Sequence, residues 1–136
     1  MMNTLEMPMS KVYGVHVVEL NEGITPEFFE RFVIEEFLPA LPLNRTPGVR
    51  ASILKGERGA RIGEYLFLFE FDSIEVRNRY FPEQFRISQE LADLIAPLRR
   101  VSTVWDQATR RVKTDYIVMA TNPEVAALPG SDATSA

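Results

Sequence analysis

Two residues of this chain stand against the grain of their neighbours. His16, the single histidine, lies in the apolar run VYGVHVVEL, and Glu70 interrupts the most apolar run, EYLFLFEF. An imidazole titrates near neutrality and can act as a general base or a ligand. A carboxylate inside such a strand must be paired, hydrated or protonated, because an isolated buried charge is prohibitively costly. Arg50 and Ser52, in the run VRASILK, alternate so as to join the same face. A His16–Arg50–Glu70 cluster in an apolar sheet would orient a small polar or phenolic ligand, with Glu70 raising the basicity of His16. Two structural alternatives stand beside it: a hydrogen-bonded interior histidine, and an interface ion pair that sets the register of two subunits.

Other candidates are weaker in kind. Tyr80, Phe81 and Trp105 can line a ligand pocket, but aromatics at helical spacing also serve as plain core. The loop Gly56-Glu57-Arg58-Gly59-Ala60-Arg61 lacks the GK[ST] of a phosphate loop and no helix follows it, so a solvated hairpin is expected. Arg99-Arg100 and Arg110-Arg111 read as solvated surface pairs. The chain has no cysteine, which excludes disulfides and thiolate metal sites. With one histidine besides, the usual zinc ligand set is missing. No metal or cofactor is expected, and a haem held by His16 has no second residue to support it.

Composition narrows the partners. The 136 residues fit one domain, and such a chain buries roughly two-thirds of its unfolded surface without a covalent staple. Fifteen basic and nineteen acidic residues leave a net charge of −4, which argues against a duplex-binding surface. The strand YLFLFEF has the look of an RNA-recognition sheet, but the basic and glycine residues of that signature are missing, and no nucleic-acid partner is expected. No apolar run approaches the roughly 18 residues of a membrane span. Met1 to Ser10 lacks a basic cluster before an apolar core, so no secretory signal is read there. The cytoplasm is the expected compartment.

These residues need elements to position them. Val12 to Leu20 reads as a strand, ended by a turn at Asn21-Glu22-Gly23. Thr25 caps a helix with Pro26 at its first position, and Ile24 and Phe29 form a hydrophobic staple. Phe29, Phe32, Val33, Phe37 and Ala40 make its apolar stripe, and Pro39 and Pro42 kink or end it. Pro47-Gly48 turns into a second strand, Val49 to Lys55, and Glu64 to Phe71 is the third. Asp72 is expected to cap the next helix, with Glu75 completing a capping box, up to Phe81 before Pro82. Ser88 opens a helical stretch with the stripe Leu91, Leu94, Ile95, Leu98. Arg99 to Val112 can be helix or irregular connection, and Tyr116 to Ala120 reads as the last strand. Residues 1–10 are taken as an extension, 11–121 as the domain, and 122–136 as a tail that is flexible or lies along a partner. The order strand, helix, strand, strand, helix, strand specifies an α+β, ferredoxin-like βαββαβ sandwich, with a four-stranded antiparallel sheet and its helices on one face.

A sheet covered on one face should alternate apolar and polar. Here Tyr65, Phe67, Phe69 and Phe71 oppose Leu66, Leu68 and Glu70, so both faces are apolar. The uncovered face is expected to hold Leu66, Leu68, Val12 and Val18, with His16 among them. A few hundred Å² of such surface is worth several kcal/mol if buried, by roughly 25 cal/mol per Å², and patches of this size mark interfaces. A two-fold homodimer that uses the patch twice is the expected cover. The alternative cover is the Arg99 to Val112 segment with Trp105.

The layout, with YLFLFEFDS before the second helix, RYFP within it and TDYIVMA at the end, resembles the dimeric α+β barrel superfamily. That group includes stress-responsive A/B barrel proteins, antibiotic-biosynthesis monooxygenases and NIPSNAP-like domains. The resemblance covers about Lys11 to Thr121 and picks out no subfamily. It implies sheet-to-sheet pairing into a closed barrel, with a small-molecule cavity in several members and no known activity in many others. Stress-responsive barrels carry a histidine on the first strand, the place His16 occupies. The function expected is thus small-molecule binding, in the manner of a cofactor-free monooxygenase or isomerase, with a non-catalytic module that only homodimerises as the alternative.

Overall fold

The structure is a computed structural model that describes residues 10–84 and 86–122. The extension expected over 1–9 and the tail expected beyond Asn122 lie outside the described residues. Four strands, β1 (Val12–Leu20), β2 (Val49–Lys55), β3 (Tyr65–Phe71) and β4 (Thr109–Ile117), form one antiparallel sheet in the order β2-β3-β1-β4. The helices are α1 (Pro26–Phe32), α2 (Leu38–Ala40), α3 (Ile74–Tyr80), α4 (Gln89–Ile95) and α5 (Arg99–Ala108). This strand order with two crossovers is the ferredoxin-like topology that the element order specifies.

Local chemistry accounts for most boundaries. Thr25 accepts from the Phe28 N–H and Pro26 opens α1, as expected. The following turn, Val33–Phe37, is π-helical: the Leu38 N–H reaches back five residues to the Val33 carbonyl. Pro39 lies just beyond, where its ring would crowd the Glu35 carbonyl of a regular α-helix. The helix therefore passes Pro39 in widened form and stops at Ala40. Leu41 turns extended, at φ −65° and ψ 133°, as a residue before proline must. Gly48 takes a φ of +88° in the expected turn before β2.

Two local expectations are corrected. The α3 cap is Ser73, whose hydroxyl accepts from the Val76 N–H at 3.1 Å, and not Asp72. Asp72 instead accepts from Arg50 at 2.7 Å. The last strand begins at Thr109 and ends at Ile117, so it starts seven residues before Tyr116. Its first seven residues, TRRVKTD, are polar apart from Val112 and carry no strand pattern. The stretch is a strand because its backbone pairs with all of β1, from Leu20↔Thr109 to Val12↔Ile117. Arg110 and Arg111 are strand residues for the same reason.

Cross-strand partners face the same side, so the register assigns the faces. Val12, Gly14, His16 and Val18 pair with Phe71, Phe69, Phe67 and Tyr65, and all eight face the helices. Val12 and Val18, expected on the open face, are core residues, 0 % and 3 % exposed. The core joins Val18, Tyr65 and Phe67 to Phe29, Phe32, Val33, Phe37 and Trp105. Trp105 stacks on Phe37 at 4.1 Å between ring centroids. Helix α5 therefore packs on the covered side, and the alternative in which Trp105 folds over the open face does not form. That open face carries Tyr13, Val15, Val17, Leu54, Leu66, Leu68, Val112 and Tyr116, with Arg50, Ser52 and Glu70 among them.

Candidate functional site

His16 sits on the helix side of β1, where its ring meets the edges of Phe67 at 5.5 Å and Phe69 at 5.4 Å. Its Nδ1 is buried and has no hydrogen-bond partner. Burial pushes the imidazole pKa down from 6.5 to about 4, with the positive charges of Lys113 and Arg111 adding to the shift and Asp115 opposing it. At pH 7 the ring is neutral.

Beside it the structure opens a cavity of about 740 Å³ between the sheet and the segment that follows α3. Its floor is Gly14, His16, Phe69 and Phe71. Gly14 matters here: a Cβ added to it would lie 3.2 Å from Asp115 Oδ1 and 3.5 Å from Phe69 Cβ. Phe81, Pro82 and Ile87 form the facing wall. The rim is polar. Arg77, in the last turn of α3, reaches across to Asp115 at 2.5 Å and donates through Nε to Asn78 at 2.8 Å. Arg86 and Glu83 form an ion pair at 2.6 Å across a small backbone bridge, and both edge the opening. Lys113, Thr114 and Asp115 of β4 complete it.

Of the residues singled out by sequence, His16 and Phe81 meet at this cavity. The His16–Arg50–Glu70 cluster does not form. Arg50 and Glu70 are direct cross-strand partners on the open face, whereas His16 faces the helices, so the thickness of the sheet lies between them. Ser52 is on the open face, opposite Leu68. Glu70 therefore has no part in tuning His16; Asp115 is the carboxylate that acts on it. Trp105 is core, and Tyr80 is buried at 1 % exposure with its hydroxyl unpartnered, outside the cavity lining. Arg77, Arg86, Lys113 and Asp115 were not singled out by sequence. The signal that could have found the last two is the period-two series Thr109, Arg111, Lys113, Asp115, legible only once that stretch is taken as strand.

Among the described residues no three His, Asp or Glu side chains gather as a metal site, and no helix is long and apolar enough to cross a membrane.

No protein-family model matches the chain, and no characterised protein matches it by sequence. Solved structures do resemble it. A NIPSNAP family protein of unknown function from Agrobacterium tumefaciens superposes with a TM-score of 0.54 at 17% identity, over 85% of this chain and 94% of its own. A dimeric protein of unknown function and ferredoxin-like fold from Bacteroides fragilis gives 0.50 at 12% identity, over 79% of this chain and 96% of its own. SnoaB, a cofactor-independent oxygenase from Streptomyces nogalater, is 17% identical over 84% of this chain and 98% of its own, but its TM-score of 0.48 carries no argument about this protein. At such identities a likeness speaks of architecture alone. In architecture the chain is a ferredoxin-like α+β domain.

Proposed function

We propose that this protein is a homodimer that binds a small hydroxylated aromatic molecule in the cavity at His16. The observation that carries the reading is the buried, unpartnered Nδ1 of His16 on the floor of a cavity of about 740 Å³. That volume falls within the roughly 300–1,000 Å³ of small-molecule sites. A buried polar atom without a partner costs on the order of 1–3 kcal/mol. A ligand hydroxyl can donate or accept, so once the ring turns Nδ1 toward the cavity it relieves that cost whichever tautomer the ring holds. Phe69, Phe71, Phe81 and Ile87 offer a flat ring the apolar contacts it needs.

Enzymatic use of the site, as in a cofactor-free monooxygenase or an isomerase, would begin with His16 taking a proton from the bound hydroxyl or an adjacent acidic carbon. The anion so formed would stabilise the imidazolium and lift its pKa from about 4 toward the working range. The same low pKa favours a second reading, in which His16 is too weak a base for chemistry and the protein only binds.

The homodimer is supported by the open face. Val15, Val17, Leu66 and Leu68 form an apolar centre, extended by Leu54, Val112 and Tyr116, which are 41 %, 63 % and 55 % exposed. A second copy set face to face covers this patch with itself and closes the assembly.

Light scattering tests the dimer: a monomeric mass at micromolar concentration would refute it. For the site, the His16 imidazole nitrogens are followed by NMR while simple phenols are added. Binding should move the Nδ1 resonance and be lost in His16→Leu. If phenols bind no better than benzene, or bind His16→Leu equally well, the site reading fails.

A further inference from the structure

We infer that Lys113 is the anion-recognising residue of this cavity, so that its ligand is an aromatic hydroxy acid with the hydroxyl at His16 and the acidic group at Lys113. The inference rests on the reading of the cavity as a small-molecule site, and it adds the class of ligand.

Strand β4 presents a row of charges to the helix side: Arg111, Lys113 and Asp115. The two outer members are engaged. Arg111 donates to Asp106 at 3.0 Å and to Thr109 at 2.6 Å, and lies 5.4 Å over the Trp105 ring. Asp115 is held by Arg77 at 2.5 Å. Lys113, between them, makes no hydrogen bond or ion pair with any described residue, and it lines the cavity. The other cations there are answered, Arg77 by Asp115 and Arg86 by Glu83. The lining thus holds three cations against two carboxylates, 3 − 2 = +1, and the excess charge is Lys113.

Its position suits the role. Lys113 is the direct cross-strand partner of His16. Such side chains leave neighbouring strands roughly 5 Å apart on the same face. The lysine stem is long and flexible and ends in three rotatable donors. One ring can therefore place a hydroxyl on His16 and an acidic group on Lys113 at once. The two contacts also reinforce each other. Lys113 is one of the charges that disfavour a protonated His16, and an acid bound to it would mask that charge.

Titration calorimetry with para-hydroxybenzoate and its neutral analogue para-hydroxybenzamide tests the assignment. The intact protein should prefer the acid by about fivefold, the size of a partly exposed ion pair, and the preference should shrink as salt is raised. Lys113→Gln should erase the preference, and Lys113→Arg should keep it. If the amide binds as tightly as the acid, or Lys113→Gln retains the preference, the Lys113 assignment is overturned and the cavity reading stands. If neither probe binds at millimolar concentration, the cavity reading fails and the assignment falls with it.

Discussion

The covered side of the sheet has two ends, and they are built differently. Under α1 and α5, Phe29, Phe32, Phe37 and Trp105 descend onto Val18, Tyr65 and Phe67, and rings stack as close as 4.1 Å. Under α3 and the segment after it, the sheet offers Gly14, His16, Phe69 and Phe71, and what comes down is Arg77, Phe81 and Ile87. The first end is closed to solvent, with Phe29 0 % and Phe67 3 % exposed. The second stays hollow, because Gly14 supplies no side chain and Arg77 turns toward Asp115. The one polar side chain of the covered face of β1 lies at the hollow end.

Substitution should separate the ends sharply. Trp105→Ala removes the ring that joins both covering helices to the sheet and should cost about 3–5 kcal/mol in urea unfolding. Phe81→Ala at the hollow end should cost less than about 2 kcal/mol, since its ring already borders a void. Equal losses would mean that the hollow end is as tightly packed as the other.

Acid should act on the hollow end first. The folded-state pKa of His16 is near 4 and its unfolded value near 6.5, so between these the unfolded chain binds the extra proton. Stability due to neutral His16 is therefore fully present above pH 6.5 and is lost as pH falls toward 4. The ring is partly open to solvent, so the effect should be on the order of 2 kcal/mol, less than the full shift implies. Urea unfolding of the parent and of His16→Gln at pH 4.5 and 7 measures it. If both lose the same stability on acidification, His16 is not a buried neutral group.

The smallest effect concerns the element that walls the cavity. Ser73→Ala removes the α3 cap and should cost about 1 kcal/mol, whereas Asp72→Ala, which removes only an exposed partner of Arg50, should change stability by less. The reverse order would restore Asp72 as the cap.

Much of the fold was legible along the chain because its determinants are local. Thr25-Pro26 starts α1, Ser88 starts α4, Pro42 ends the helix ahead of it, and Pro47-Gly48 turns the chain into Val49–Lys55. Less of the site was legible. His16 and Phe81 stood out as residues, yet their partners did not, since Lys113 and Asp115 lie in a strand whose polar sequence has no strand period.

The amino-acid sequence by itself determined the strands β1 to β3, the order of elements and the apolarity of both sheet faces, since each follows from neighbours a few residues apart. Only the tertiary structure decided which face His16 takes. A strand apolar on both sides has no parity of its own; the side is chosen when Val12 and Val18 pack beneath the helices with Phe71 and Tyr65, far along the chain. That choice moved His16 away from Arg50 and Glu70 and set it beside Lys113, because strand partners are fixed by backbone ladders and not by sequence distance.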